Sequence, residues 1–118
     1  MSSEYPFSDL PTIDDAVASP LRELLGDSFF ELVSDFTNDF PEKFDAIKTA
    51  TNENDIESIF KLAHTLKSSS GSFGFTKLFK QLEYLELQAR KNEIVNLNEQ
   101  IDGLEQEFNE VILTLNKK

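Results

Sequence analysis

Apolar residues along this chain return at intervals of three and four, the spacing of one face of a helix rather than of a strand. The clearest stripe is Phe29, Val33, Phe36, Phe40, Phe44 and Ile47. It predicts a long helix that starts at a cap on Asp27 or Ser28 and runs to about Ala50. Pro41 lies inside this stretch, where a proline removes one backbone hydrogen bond and bends the chain a turn earlier, near Thr37. Because the stripe stays in phase across Pro41, one kinked helix is expected rather than two. Before it, Thr12 to Gly26 predicts a short helix with Pro20 at an early position after Ser19. Leu21, Leu24 and Leu25 share one side of it, and Gly26 stops it. Residues 1–11 carry Pro6 and Pro11 without sustained periodicity and read as a flexible arm.

After the polar break Thr51 to Asn54, Asn54 or Asp55 caps a second long helix with Ile59, Leu62, Leu66 and Phe73 on its apolar side. Ser72 to Phe75, with Gly71 and Gly74, reads as the turn that follows. A third helix is expected from about Thr76 to Lys91, with Leu78, Leu82, Leu85 and Ala89 facing inward. Its basic C-terminal end suits the helix dipole, and Asn92 breaks the pattern. The last helix, from about Ile94 to Leu115, carries a near-heptad stripe of Leu97, Ile101, Leu104, Phe108, Val111 and Leu115. Gly103 falls on its outer side and costs it about 1 kcal/mol of helix propensity. The expected fold is all-α. Residues 12–118 form one domain, an antiparallel up-and-down four-helix bundle with a short extra N-terminal helix.

Composition narrows the function. With 118 residues, eleven phenylalanines and no tryptophan, the chain can bury one core, and four prolines and four glycines are too few for a turn-rich sandwich or barrel. No cysteine and a single histidine argue against a thiolate, zinc, haem or di-iron site, so no metal and no cofactor are expected. A cofactor-binding bundle enzyme therefore lacks its ligands. No apolar run has membrane-spanning length and no leader pattern opens the chain, so a cytoplasmic protein without membrane contact is expected. The net charge of −11 disfavours nucleic acid. The charge is uneven, however. Lys61 to Lys91 holds six basic and two acidic residues, while the rest is strongly acidic. The alternative to a chance fluctuation is a partner bearing negative charge.

The one histidine lies in that basic segment. At about 100° per residue, His64 points almost directly away from the stripe of Ile59, Leu62, Leu66 and Phe73. Phe60, Lys67, Ser68 and Gly71 share its side, so a buried helix presents a lone imidazole between a cation and very small side chains.

His64-Thr-Leu-Lys67-Ser-Ser-Ser-Gly-Ser-Phe-Gly74 resembles the signature of the histidine-containing phosphotransfer (HPt) domain family, His-x-Leu-Lys-Gly-Ser-(Ser/Ala)-x-x-(aliphatic)-Gly. The likeness extends over about 90 residues. It takes in Leu21-Arg-Glu-Leu-Leu-Gly, the Phe29-to-Ile47 helix with Pro41 past its midpoint, and the Leu85-Glu86…Ala89-Arg90 ending of the next helix. Ser68 departs from the usual glycine, adding a hydroxyl that a docking partner must accommodate, and Phe73 replaces the commoner aliphatic residue.

The resemblance implies a phosphorelay intermediate. His64 would accept a phosphoryl group from a receiver-domain aspartyl phosphate, through Nε2, and pass it to a response-regulator aspartate. Lys67, one turn on, would offset the phosphoryl charge, and Glu86 could accept from Nδ1–H and fix the tautomer. Phe60, Lys61, Ser68, Gly71, Phe75 and Arg90 are the expected partner-binding residues. Phe60 either docks the partner or covers the bundle edge, and Arg90 is either an attractor or a helix-terminal cation. No Walker-type or kinase ATP signature is present, so magnesium and the driving chemistry are expected on the partner, a receiver domain of a hybrid sensor kinase or response regulator. A monomeric, free-standing carrier without its own kinase site is the leading expectation, and an excised kinase domain is its variant. A second class is a non-phosphorylated helical docking module for receivers, which would have no need of the His64/Lys67 pair.

Overall fold

The computed structural model describes Phe7 and residues 9–116, and every regular element among them is a helix. In chain order these are α1 (Asp15–Leu25), α2 (Asp27–Asn52), α3 (Ile56–Ser72), α4 (Thr76–Lys91) and α5 (Leu97–Asn116). Helices α2 to α5 close a ring. The α3–α4 interface is the most extensive, α3 also packs on α2, and α5 meets both α4 and α2. The short α1 packs against α2. This is the all-α bundle with an extra N-terminal helix.

The long α2 runs unbroken through Pro41, and its whole expected stripe is buried. Aromatic rings dominate the centre. Phe40 stacks on Phe108 of α5 with centroids 4.1 Å apart and planes 5° from parallel. Phe36 meets Phe73, Phe75 and Phe108 at 5.3–6.3 Å. Offset and tilted ring pairs of this kind add about 0.5–1.5 kcal/mol beyond their burial. The start of α3 is fixed as expected. Asp55 accepts hydrogen bonds from the Ser58 N–H at 3.2 Å and the Ser58 hydroxyl at 2.7 Å. Those two bonds hold its carboxyl below the usual range.

Several boundaries differ from expectation. Pro20 is an interior residue of α1, not an early one, because Asp14 caps the helix a turn sooner by accepting from the Ala16 N–H. The last helix begins at Leu97, not Ile94. Asn92 ends α4 in the left-handed region at φ 58°, and Asn96 is left-handed at φ 51°. The Gln88 side chain then ties down the connection, accepting from Val95 N–H at 2.8 Å and Gln100 Nε2 at 3.2 Å. Gly103 is half-buried rather than outward, and its carbonyl accepts from Gln81 Nε2 of α4.

One connection positions the site. Gly74, at φ 80°, turns the chain from α3 into α4, and its carbonyl accepts from the Asp14 N–H at 2.8 Å. A Cβ at Gly74 would lie 3.0 Å from the Asp14 carbonyl oxygen, so a residue without a side chain lets α1 sit against the turn. The Lys77 N–H, an orphan donor in the first turn of α4, is taken by the Pro11 carbonyl at 3.1 Å. The expected flexible arm falls mostly on residues outside the described ones. Of its described part, Phe7 packs edge-on against Tyr84 and Pro11 bonds Lys77.

Candidate functional site

Helix α3 buries Ile59, Ala63, Leu66 and Ser70. Ala63 lies deeper than the sequence stripe indicated, and Leu62 is only half-buried. The opposite side carries His64, whose side chain is 56 % exposed. The outward imidazole inferred from helix phase is present.

Its inner nitrogen is engaged. Nδ1 lies 2.8 Å from Glu86 Oε2 on α4, and Glu86 is only 2 % exposed. Glu86 Oε1 forms an ion pair with Lys67 Nζ at 2.7 Å, and the Arg90 guanidinium approaches Oε2 at 3.6 Å. Burial works against the charge on Glu86, but the hydrogen bonds from Lys67 and His64 outweigh it and hold the carboxyl below the usual range. An ionised carboxylate can only accept, so Nδ1 carries the proton, and in the neutral ring the lone pair is then on Nε2. Above the pair, the Phe60 ring lies nearly parallel to the imidazole with centroids 6.3 Å apart, and Arg90 sits 5.5 Å over the Phe60 centroid. Phe60 is half-buried and packs against the core edge as well as facing the imidazole.

The expected site residues thus separate into groups. His64, Lys67, Glu86, Phe60 and Arg90 come together in one cluster. Lys67 is not a free cation, since its side chain is only 21 % exposed and engaged with Glu86. Lys61 is exposed and pairs with Glu57 one turn back, at 3.2 Å. Ser68 is exposed on the imidazole side. Gly71 has a packing reason to be small, because an added Cβ would come within 2.8 Å of the Phe79 ring of α4. Phe75 contradicts its expected docking role. It is 0 % exposed, the N-cap residue of α4 with its ring against Phe36 and Phe73. The other hydroxyls of the small-residue run bond back to their own helix, Ser69 to the Thr65 carbonyl, Ser70 to that of Leu66 and Ser72 to that of Ser68.

Sequence reasoning missed a groove of about 590 Å³ beside Ser68 and Gly71, walled by Val17 of α1 and by Thr76, Phe79 and Lys80 of α4. Gly71 was the available signal, since a glycine within a helix often marks a close neighbour. The neighbour's identity required the tertiary fold. Among the described residues, no group of His, Asp or Glu is arranged to hold a metal ion.

These features can be set beside known proteins. The Hpt domain family profile matches residues 31–113. The chain belongs to the Hpt domain family. Its fold is also similar to the crystal structure of histidine-containing phosphotransfer protein B (HptB) from Pseudomonas aeruginosa PAO1, with a TM-score of 0.86 and 27 % identity, covering 92 % of this chain and 94 % of that one. A comparison with curated proteins finds no match. The Hpt chain described here therefore serves histidine phosphotransfer in two-component signalling relays. Hpt proteins carry phosphoryl groups rather than act as kinases, and their relay partners are receiver domains. No helix among the described residues is long and apolar enough to cross a membrane.

Proposed function

We propose that His64 is the phosphoacceptor of this Hpt domain, taking a phosphoryl group on Nε2 from a receiver aspartyl phosphate and passing it to the aspartate of a response regulator. The observation that carries this reading is the His64–Glu86 hydrogen bond, which leaves the solvent-facing nitrogen as the nucleophile while the other is anchored on a buried carboxylate. In-line attack needs an exposed, oriented lone pair and little more from this domain, because the partner brings the metal and the electrophile. No magnesium or other cofactor is then needed on this chain.

Arg90 and Lys67 supply positive charge beside the incoming phosphoryl group, and Ser68 and the groove at Gly71 give a receiver room to approach. Phe60 offers an apolar contact next to the reacting nitrogen. The same residues favour a carrier over a docking module that is never phosphorylated, since docking alone would not require an imidazole held by a buried carboxylate. A monomer in the cytoplasm, without a kinase site of its own, completes the reading.

The test is incubation with a phosphorylated receiver. The wild-type protein takes up label that is acid-labile and alkali-stable, and His64→Gln takes up none while keeping its helicity by circular dichroism. Undiminished labelling of His64→Gln would remove His64 from this role.

A further inference from the structure

Glu86 has more to do than orient a ring, and the reason lies in the electron bookkeeping of the transfer. The Nε2 lone pair attacks phosphorus, the acyl O–P bond breaks, and the aspartate leaves with that electron pair as a carboxylate. The imidazole now carries the phosphoryl group on Nε2 and still carries the proton on Nδ1, so the ring is a cation. Onward transfer breaks the Nε2–P bond and returns the pair to Nε2. If Nδ1 has kept its proton, a neutral imidazole leaves. If that proton has been lost, an imidazolide anion would have to leave, and the phosphoryl group is held fast.

We infer that the Glu86 carboxylate retains the Nδ1 proton on phosphorylated His64, keeping the phosphoryl group transferable, and that Lys67 moderates this hold by sharing the same carboxylate. This rests on His64 being the phosphoacceptor. Three facts carry the inference. The two oxygens of Glu86 are divided between the partners, with His64 Nδ1 on Oε2 at 2.8 Å and Lys67 Nζ on Oε1 at 2.7 Å. The carboxylate is 2 % exposed, so water competes little with the ring N–H for its oxygen. The charged groups facing the ring come from both helices of the interface, Lys67 from α3 and Glu86 and Arg90 from α4, with Arg90 the more distant from the carboxylate at 3.6 Å. A neutral amide at position 86 would accept the same hydrogen bond without stabilising a ring cation. The carboxylate adds the charge, and Lys67 limits it. The pair therefore sets how long a phosphoryl group resides on His64.

The experiment phosphorylates the full chain with phosphoramidate, a small donor that needs no receiver, and follows phosphoryl loss by ³¹P NMR across neutral to alkaline pH. In wild type the rate of loss falls where the ring proton is released. Glu86→Gln moves that fall to lower pH and lengthens the lifetime on its alkaline side by about tenfold, the effect of one neighbouring charge. Lys67→Met moves it the other way and shortens the lifetime. A merely structural role would not give shifts of opposite sign. If Glu86→Gln does not fold, the direction of the Lys67→Met shift decides alone. Superimposable profiles, or a Lys67→Met shift to lower pH, would overturn the inference. Labelling by phosphoramidate with no labelling by any phosphorylated receiver would instead overturn the carrier reading and leave the role of Glu86 standing.

Discussion

A carboxylate buried as deeply as that of Glu86 stays ionised only because its partners are in place. Removing a charge from water costs several kcal/mol, and here an ammonium, a ring N–H and a guanidinium offset that cost. The same contrast between engaged and merely located residues separates the two phenylalanines first assigned to docking. Phe75 is fully enclosed between Phe36 and Phe73, so Phe75→Ala should destabilise the fold by about 3–5 kcal/mol in urea unfolding. Phe60 faces His64 and Arg90 at the core edge. Phe60→Ala should cost only about 1 kcal/mol of stability while weakening receiver binding, measured by calorimetry. Equal stability losses at the two positions would contradict this division.

At the scale of elements, the N-terminal segment, α4 and α5 meet around a second buried carboxyl. Glu107 is 4 % exposed, with Lys77 Nζ 3.8 Å away. Burial pushes its carboxyl above the usual range, against the opposing pull of Thr12 and Lys77. A carboxyl raised by folding holds its proton longer in the native state than in the unfolded one. Stability therefore falls as pH rises from the ordinary carboxylate range through the native value, and the loss persists above it. Glu107→Gln should accordingly raise the Tm at neutral pH, with the advantage fading as the solution is acidified into that range. A variant less stable than wild type at every pH would show that the ion pair with Lys77 outweighs the burial.

Elements were also where the sequence was most legible. The stripe from Phe29 to Ile47, the Asp55 cap and the outward phase of His64 follow from local periodicity and capping, which act over a few residues. What was hidden depended on contacts distant in sequence. Phe75 precedes α4 rather than belonging to it, with φ −80° and ψ 72°, so no helix phase could place it. Ile94 does not open the last helix because the Gln88 side chain, from the preceding helix, stitches the connection. The Lys67–Glu86 ion pair crosses from α3 to α4, and the Val17 wall of the groove comes from α1, so neither has a local signature. The His64–Glu86 bond lay between these cases, foreshadowed by family resemblance and given its geometry only by the fold.

At the scale of the whole molecule, the imidazole stands on the one basic stretch of a chain with net charge −11. That asymmetry favours approach of a phosphorylated partner on the α3–α4 side, where the His64 ring is carried by α3 and anchored on Glu86 of α4. A carrier of this design must both gain and give up its phosphoryl group at one nitrogen. The most direct measurement uses uniformly ¹⁵N-labelled protein, a phosphorylated receiver as donor and a second, unphosphorylated receiver added as chase, followed by NMR. The account predicts a phosphorus–nitrogen coupling at His64 Nε2 that appears with the donor and disappears as the second receiver gains the label. Transfer between the two receivers with no phosphorylated His64, or label lodged on any other residue of this chain, would contradict it.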